Sequence, residues 1–204
     1  SRRPRWSETI SQVYKIGWQS QAVVLITGAF TGMVFAVQTY WQFHKVKMDT
    51  AVGPVISVAM ARELAPVLTA LMVTGRVGSG MAAELGSMVV TQQIDALRVL
   101  GTDPVRKLVA PRLLAGVVMV PIHTVISDAL GIFGGGLISV FSLKLNWTYY
   151  WRSVAEALVL NDLAMGLSKP VVFGFILTSV GCYMGLTTTG GTQGVGVATT
   201  RSVV

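Results

Sequence analysis

Two adjacent charges and a proline interrupt an apolar run that extends from residue 51 to residue 75. They are Arg62, Glu63 and Pro66, within the segment ARELAP. A charge at the centre of a membrane-spanning helix costs about 2.5 to 3.5 kcal/mol, so we expect both charges to face protein, water or a ligand. Neighbouring residues on a helix point about 100° apart, so each charge needs a partner of its own.

Pro66 adds a second disturbance at the same depth. Because proline has no N–H, the carbonyl group of Arg62 loses its helical donor, and the helix is expected to kink there. One interpretation is a structural ion pair with another span, for which Asp128 and His123 are candidate partners. The other interpretation is a polar binding site, and both fit the residues.

The chain contains none of the common catalytic or metal-binding patterns. It has one cysteine, Cys182, and neither an HExxH nor a GxSxG segment. His123 and Asp128 are five residues apart, off one helical face, so we do not expect a catalytic pair. The last glycine of the cluster at 75–80 is not followed by the lysine and the Ser or Thr of a P-loop. We therefore expect no metal site and no ATP hydrolysis in this chain.

The composition is typical of a membrane protein. Of the 204 residues, 52% are hydrophobic and 12% are charged, whereas soluble domains carry about 25% charged residues. The formal net charge of +7 would suit nucleic acid. The basic residues, however, lie at the ends of apolar runs, which favours an explanation by membrane topology.

Four apolar stretches are long enough to cross a bilayer as helices, which needs about 20 residues each. They are residues 22–43, 51–75, 113–142 and 168–187. We predict an all-α polytopic membrane protein with one transmembrane domain, 1–204.

Residues 1–21 precede the first span and have an amphipathic pattern. Apolar residues and a glycine recur there at helical spacing: Trp6, Ile10, Val13, Tyr14, Gly17 and Trp18. The pattern predicts a helix lying in the membrane interface. An amphipathic helix packed on a soluble core is the alternative.

Basic and aromatic residues are distributed unequally between the two ends of the spans. Ten Lys and Arg residues lie at the N-terminus, in segment 76–112 and at the C-terminus, and five lie on the other side. The positive-inside rule makes the first group cytoplasmic. Aromatic clusters at 40–43 and 147–151 lie on the other side, where their rings favour the headgroup level. Residues 44–50 and 143–167 are then outside.

Glycines four residues apart occur in three spans. The pairs are Gly28 with Gly32, Gly131 with Gly135, and Gly181 with Gly185. Such pairs allow helix backbones to approach closely in lipid. They favour a tightly packed helical bundle.

The segment after the second span is too polar to cross a membrane, yet it keeps helical spacing of its apolar residues. It predicts one helix over residues 80–101, ended by Gly101. Asp103 is then expected to cap a further helix whose first position is Pro104. The glycine- and threonine-rich stretch 187–201 is expected to be a flexible connection.

Four segments resemble those of the MlaE (YrbE) permeases. They are ARELAPVLTALMVTGRVGSGMAAELGSM (61–88), GTDPVRKLVAPRLLAGVVMVP (101–121), GIFGGG (131–136) and ATTRSVV (198–204). The resemblance covers essentially the whole chain. It implies the membrane subunit of an ABC transporter that moves phospholipid or a related lipid, located in the cell inner membrane.

The resemblance also implies partners. Two permeases form a dimer, a cytoplasmic ATPase contacts each through a helix between spans, and a hexameric MCE-domain protein lies on the outer side. ATP and Mg belong to the ATPase, so no cofactor is expected in this chain. Members of the family continue into a fifth span, which we expect after residue 204.

Helix 80–101 matches the position of the family's coupling helix. A stiff helix of this kind can transmit nucleotide-driven movement into the membrane, whereas a helix that merely caps the bundle is the alternative. Its candidate ATPase contacts are Glu84, Leu85, Met88, Gln92, Asp95 and Arg98.

In a lipid transporter, the ARELAP segment would suit a cavity for a phospholipid head. The candidate residues are the two charges, the proline and the apolar side chains near them: Arg62, Glu63, Pro66, Val58, Leu64, Leu68 and Leu71. A self-contained secondary carrier or channel is the alternative function, because the two charges would also suit an ion path. Copurification of a separate ATPase would distinguish the two functions.

Overall fold

The computed structural model describes residues 6–204, and every regular element in that range is helical. The helices are α1 Trp6–His44, α2 Asp49–Val90, α3 Gln93–Val99, α4 Val105–Phe141, α5 Trp147–Ala157, α6 Leu160–Leu186 and α7 Gly191–Arg201. Within this range, α1, α2, α4 and α6 are long and apolar enough to cross a membrane. The prediction of an all-α polytopic membrane protein is confirmed.

The N-terminal helix differs from the prediction in its extent. α1 runs from Trp6 to His44 without interruption, so the predicted interfacial helix and the first span form one element. No proline lies near the expected boundary at residue 21, and the nearest glycine, Gly17, lies inside α1 without ending it. Residues 1–5, with three of the basic residues counted for topology, lie outside the described residues. The location of the N-terminal segment at the membrane surface stays a prediction.

Helix α2 contains two π turns, Met60–Leu64 and Thr74–Gly78, and α4 begins with a third, Val105–Val109. A π turn carries i→i+5 hydrogen bonds and is frequent at functional sites. The first of them ends two residues before Pro66. The disturbance predicted from the proline is therefore present as a widened turn.

The predicted helix 80–101 is two helices. α2 continues to Val90, Gln92 has a left-handed φ of 58°, and α3 is the short helix Gln93–Val99. The break follows consecutive β-branched residues, which fit a helix less well, and the Thr91 hydroxyl donates back to the Ser87 carbonyl at 2.8 Å. A single twenty-residue helix was therefore the wrong prediction.

The predicted ends of this segment are confirmed. Gly101 has a φ of +70° and its N–H donates to the Arg98 carbonyl at 2.9 Å, so it closes α3. The Asp103 carboxylate accepts from the Val105 N–H at 2.9 Å. Asp103 thus caps the following helix, as its position before Pro104 predicted.

The stretch 187–201 is ordered, so the prediction of a flexible connection was wrong. Gly190 and Gly191 have φ values of +87° and +66°, which glycine adopts without strain, and they form a turn into helix α7. α7 packs on the Ser79–Val90 part of α2 and buries Ala198. This packing stabilises a segment whose composition alone favours a loop.

The contacts divide the chain into two compact units. The first unit comprises α1 up to Ser20, Ala70–Val120 and Val171–Val204, and the second comprises Gln21–Thr69 and Pro121–Pro170. The core of the second unit is formed by buried residues of several helices: Ala36, Val52, Ile56, Met60, Ala65, Ile132, Tyr150 and Val154.

Tyr150 of α5 anchors that core by a polar contact. Its hydroxyl donates to the carbonyl of Ile132 at 3.0 Å, and its side chain is almost completely buried. Burial raises the pKa of Tyr150, so the phenol keeps its proton and remains a donor. α5 itself is capped by Asn146, which accepts from the Tyr149 N–H at 3.1 Å.

The glycine pairs lie at close helix contacts, as predicted. In the second unit, a Cβ atom on Gly32 would overlap the carbonyl oxygen of Gly131. In the first unit, a Cβ atom on Gly185 would lie 2.7 Å from Cβ of Leu85. Both distances are too short for a side chain, so these helices pack backbone against backbone.

Candidate functional site

One face of α6 carries Asp162, Gly166 and Lys169, at positions i, i+4 and i+7. Gly166 allows this face to approach α2 closely, because a Cβ atom there would overlap the carbonyl oxygen of Ala61. Within the second unit, the two charges of α6 therefore lie against the π turn Met60–Leu64.

Lys169 makes two contacts with that turn. Its Nζ atom donates to the carbonyl oxygen of Arg62 at 2.7 Å and lies 2.7 Å from Oε2 of Glu63. The Arg62 carbonyl is the group that loses its helical donor to Pro66. Lys169 therefore supplies from another helix a hydrogen bond that the proline removes.

Arg62 has a different partner on the same face of α6. Its Nη1 atom lies 3.4 Å from Oδ1 of Asp162, and its Nη2 atom lies 3.7 Å from the sulfur of Met165. The ion-pair partners of Arg62 and Glu63 are thus Asp162 and Lys169, and not the Asp128 and His123 considered from the sequence.

We call Arg62, Glu63, Asp162 and Lys169 the charge cluster. Its formal charges cancel, yet it is not sealed within the chain. The side chains of Glu63 and Arg62 are 64% and 43% exposed, while that of Asp162 is 14% exposed. Two charged groups within a membrane-spanning helix therefore present an open polar surface. Contact between such a surface and lipid tails is energetically unfavourable.

The apolar residues predicted to line a lipid path do not share one environment. Pro66 is fully buried, Leu71 is 60% exposed, and Val58, Leu64 and Leu68 are half-buried. Leu64 also packs against the core of the second unit. Their contact with a lipid stays a prediction.

Glu84, predicted to contact an ATPase, is engaged within the first unit. Its carboxylate lies 2.8 Å from Nζ of Lys15 and 3.1 Å from Nη2 of Arg112. The Arg112 side chain is only 4% exposed and also donates to the carbonyl of Leu108 at 2.7 Å. Glu84 is therefore shared between an exposed cation, Lys15, and a buried one, Arg112.

The other predicted ATPase contacts divide at the break after Val90. Leu85 is fully buried and Met88 is half-buried, whereas the residues beyond the break are exposed: Gln92, Asp95 and Arg98. Asp95 and Arg98 form an exposed ion pair at 2.8 Å. The accessible part of the predicted coupling surface is thus α3.

Three exposed apolar residues at the end of α3 and just after it were not predicted from the sequence. Val99 and Leu100 are 88% and 76% exposed, and Val105 is 54% exposed. For Val99 and Leu100, the sequence feature that could have indicated exposure was their position directly before Gly101, which ends the helix. Such a pair at an exposed tip is typical of a protein contact surface.

Asp162 and Lys169 were also missed. They were counted with a loop and with the outer flank of the fourth span, although α6 begins at Leu160. Their spacing of seven residues, with Gly166 between them, places all three on one helical face. This spacing, together with the hydrogen-bond donor missing at Pro66, could have predicted from the sequence that the two helices make contact.

The comparison with protein families identifies the family of this chain. A family model described as "Permease MlaE" matches residues 9–204. The chain belongs to the MlaE permease family. The fold agrees with this assignment, because the described helices include four that can span a membrane.

Named relatives of this MlaE permease support the same assignment. A probable ABC transporter permease protein of Synechocystis is 46% identical, covering 96% of this chain and 74% of the relative. One of Rickettsia typhi is 42% identical, covering 95% and 74%. The chloroplastic protein trigalactosyldiacylglycerol 1 of Arabidopsis thaliana is 39% identical, covering 98% and 57%. The MlaE permease is therefore the membrane subunit of an ABC transporter.

Proposed function

We propose that this permease moves a phospholipid or related lipid, driven by ATP hydrolysis in a separate subunit. The observation that carries the proposal is the charge cluster on the face between α2 and α6 of the second unit. Burying charges without a partner in lipid is unfavourable, and a membrane protein retains them mainly at functional or structural sites.

The composition of the charge cluster suits a phospholipid head. Its two cations, Arg62 and Lys169, complement a phosphate, and its two carboxylates complement an ammonium group. Arg62 is more exposed than the other cation, Lys169, and Glu63 is more exposed than the other carboxylate, Asp162. A headgroup can therefore replace their present ion-pair partners. The name of the Arabidopsis relative contains that of a galactolipid, which supports a lipid substrate.

The ATPase is proposed to dock at α3 and the apolar tip that follows it. The surface combines the Asp95–Arg98 ion pair with the exposed side chains of Val99 and Leu100. An apolar centre with charged groups at its edge is the usual composition of a protein interface. A second permease and a hexameric MCE-domain protein on the outer side complete the proposed assembly in the cell inner membrane.

The test uses the permease with its ATPase in proteoliposomes and measures lipid transfer after Glu63→Gln. We expect transfer to fall at least tenfold while the ATPase still copurifies, because the substitution removes a headgroup contact. The matched control is Glu156→Gln, which removes an exposed glutamate paired with Arg152 on α5. Transfer by Glu63→Gln at the parental rate would contradict the lipid site.

Two other outcomes of these experiments would support a different interpretation of the charge cluster or of the chain. A Glu63→Gln complex that cannot be purified assigns the cluster to structure, because Lys169 then lacks its ion-pair partner within the membrane-spanning region. Transport by the permease without ATP or the ATPase assigns the chain to the secondary carriers or channels.

A further inference from the structure

A pocket of about 460 Å³ lies in the first unit, between the N-terminal part of α1 and the last third of α2. Lys15 and Arg76 line it, and both are exposed. Its other polar groups include the amides of Gln12 and Gln19. Its volume is within the range of about 300–1,000 Å³ that is usual for small-molecule sites.

The charge of the pocket is positive. Its carboxylate, Glu84, is shared between Lys15 and the buried Arg112, so it neutralises neither completely. Among residues 6–204, no acidic side chain forms an ion pair with Arg76. Two cations and one carboxylate therefore line the pocket, and the carboxylate also faces Arg112 outside the lining, so the pocket is suited to an anion.

Ser20 provides a separate indication of a ligand. Its side chain is 1% exposed and lines the pocket, and its hydroxyl has no hydrogen-bond partner. Buried hydroxyl groups are usually hydrogen-bonded, so an unpaired one facing a pocket indicates a missing partner. A phosphate oxygen is an acceptor that would satisfy it.

The two cations mark a membrane boundary. Residues 16–43 of α1 contain no charged side chain, and Lys15 comes directly before them. Arg76 directly follows the apolar run that ends at Gly75. Basic residues at such positions lie at the headgroup level, and basic pockets between spanning helices bind anionic lipid heads.

The wall of the pocket is apolar where it meets the interior. Ile16, Val77 and Met81 are all buried there, with 3%, 8% and 4% exposure. A free inorganic ion gains nothing from such a wall, whereas the glycerol and upper acyl carbons of a lipid do. We infer that the pocket binds the phosphate-bearing head of an anionic phospholipid from the leaflet at this boundary.

This site is separate from the charge cluster, and the inference does not depend on which substrate the permease transports. The test measures phosphatidylglycerol binding to the full-length permease in detergent by native mass spectrometry. Phosphatidylcholine serves as the zwitterionic comparison. The parental protein is expected to retain phosphatidylglycerol more strongly than phosphatidylcholine.

Two variants test the pocket by different means. Arg76→Gln removes a cation that has no ion pair to lose, and we expect affinity for phosphatidylglycerol to fall about fivefold. Gly80→Leu keeps every charge but fills the pocket, because a Cβ atom on Gly80 meets nothing within 4 Å. It should lower the affinity by at least as much.

Each variant has a matched control. Arg106→Gln removes an exposed cation elsewhere in the first unit, and Gly75→Leu adds the same side chain at another open glycine that does not line the pocket. Both controls should bind phosphatidylglycerol as the parental protein does. Parental affinity in Arg76→Gln and Gly80→Leu, or equal affinity for the two lipids, would overturn the inference. Displacement of the lipid by millimolar inorganic phosphate would instead assign the pocket to a free anion.

Discussion

The ammonium group of Lys169 donates a hydrogen bond to the backbone carbonyl of Arg62 at 2.7 Å. This contact joins α6 to α2 at the carbonyl that Pro66 leaves without a helical donor. A backbone carbonyl in lipid must be satisfied within the protein, because no water is available. The proline and the lysine are therefore one structural device, although they lie on different helices.

Replacing Lys169 by methionine should destabilise the permease by about 1–3 kcal/mol, because it leaves the Arg62 carbonyl unsatisfied. The Pro66→Ala substitution restores an N–H four residues after Arg62. The double variant should therefore lose less stability than the sum of the two single variants. Thermal unfolding of all four proteins in detergent measures this coupling. Strict additivity would show that Lys169 and Pro66 act independently.

Gly166→Ala should separate α6 from the π turn of α2. The added Cβ overlaps the Ala61 carbonyl oxygen, which belongs to the backbone and cannot rotate away. We expect a loss of about 1–3 kcal/mol, as for other overpacked interiors. Gly75→Ala is the control, since its Cβ meets nothing within 4 Å and alanine favours a helix. Equal melting temperatures for the two variants would refute the close contact.

Replacing Glu84 should lower the stability of the permease more than replacing Lys15. Glu84→Gln leaves the cation of Arg112, which is 4% exposed, without its carboxylate. Breaking a buried ion pair costs about 3–5 kcal/mol, and we expect about half of this because Glu84 is partly exposed. Lys15→Gln removes a more exposed partner and should cost at most about 1 kcal/mol. Chemical denaturation of the two variants compares them, and the reverse order would contradict the structure.

The basic-residue distribution predicts that α3 lies in the cytoplasm and residue 144 lies outside. In a Cys182→Ser background, Lys144→Cys should react with a membrane-impermeant maleimide in intact cells, because it lies in an exposed turn. Arg98→Cys should react only after the cells are opened. Labelling of position 98 from outside would reverse the orientation.

The exposed tip after α3 should be needed for ATPase binding. Leu100→Asp places a charge on a side chain that is 76% exposed, so the fold of the permease is expected to remain intact. We expect at least a tenfold loss in the amount of ATPase that copurifies, since a hot-spot side chain at an interface is worth about 2 kcal/mol or more and about 1.4 kcal/mol is tenfold. Val203→Asp, on an exposed residue after α7, is the control. Full copurification by Leu100→Asp would exclude this surface.

The spans, the caps and the close glycine contacts were predictable from the sequence because each depends on local chemistry. Hydropathy determines the spans. Gly101 ends a helix through its own backbone conformation, and Asp103 caps a helix with its own side chain. Gly32 allows close packing because it has no side chain. The π turns and the break at Gln92 were not predicted. They depend on how hydrogen bonds are satisfied between helices, which periodicity within one helix does not report.

The candidate sites were predicted only in part for the same reason. Arg62 and Glu63 were identified because a charge in an apolar run needs a partner, yet the partner lies about 100 residues later in the chain. Leu85 was grouped with Asp95 by helical spacing, but the helix breaks between them and leaves Leu85 buried. The described structure supplies what the spacing lacked, namely which faces meet.

The two π turns of α2 are centred on Arg62 in the second unit and on Arg76 in the first. A widened turn is a weak point in a helix, and bending concentrates at such points. Each of these two turns contains one arginine, and each arginine belongs to a ligand site that we propose above. If both proposals hold, a ligand bound at either arginine acts directly on a point at which α2 can bend.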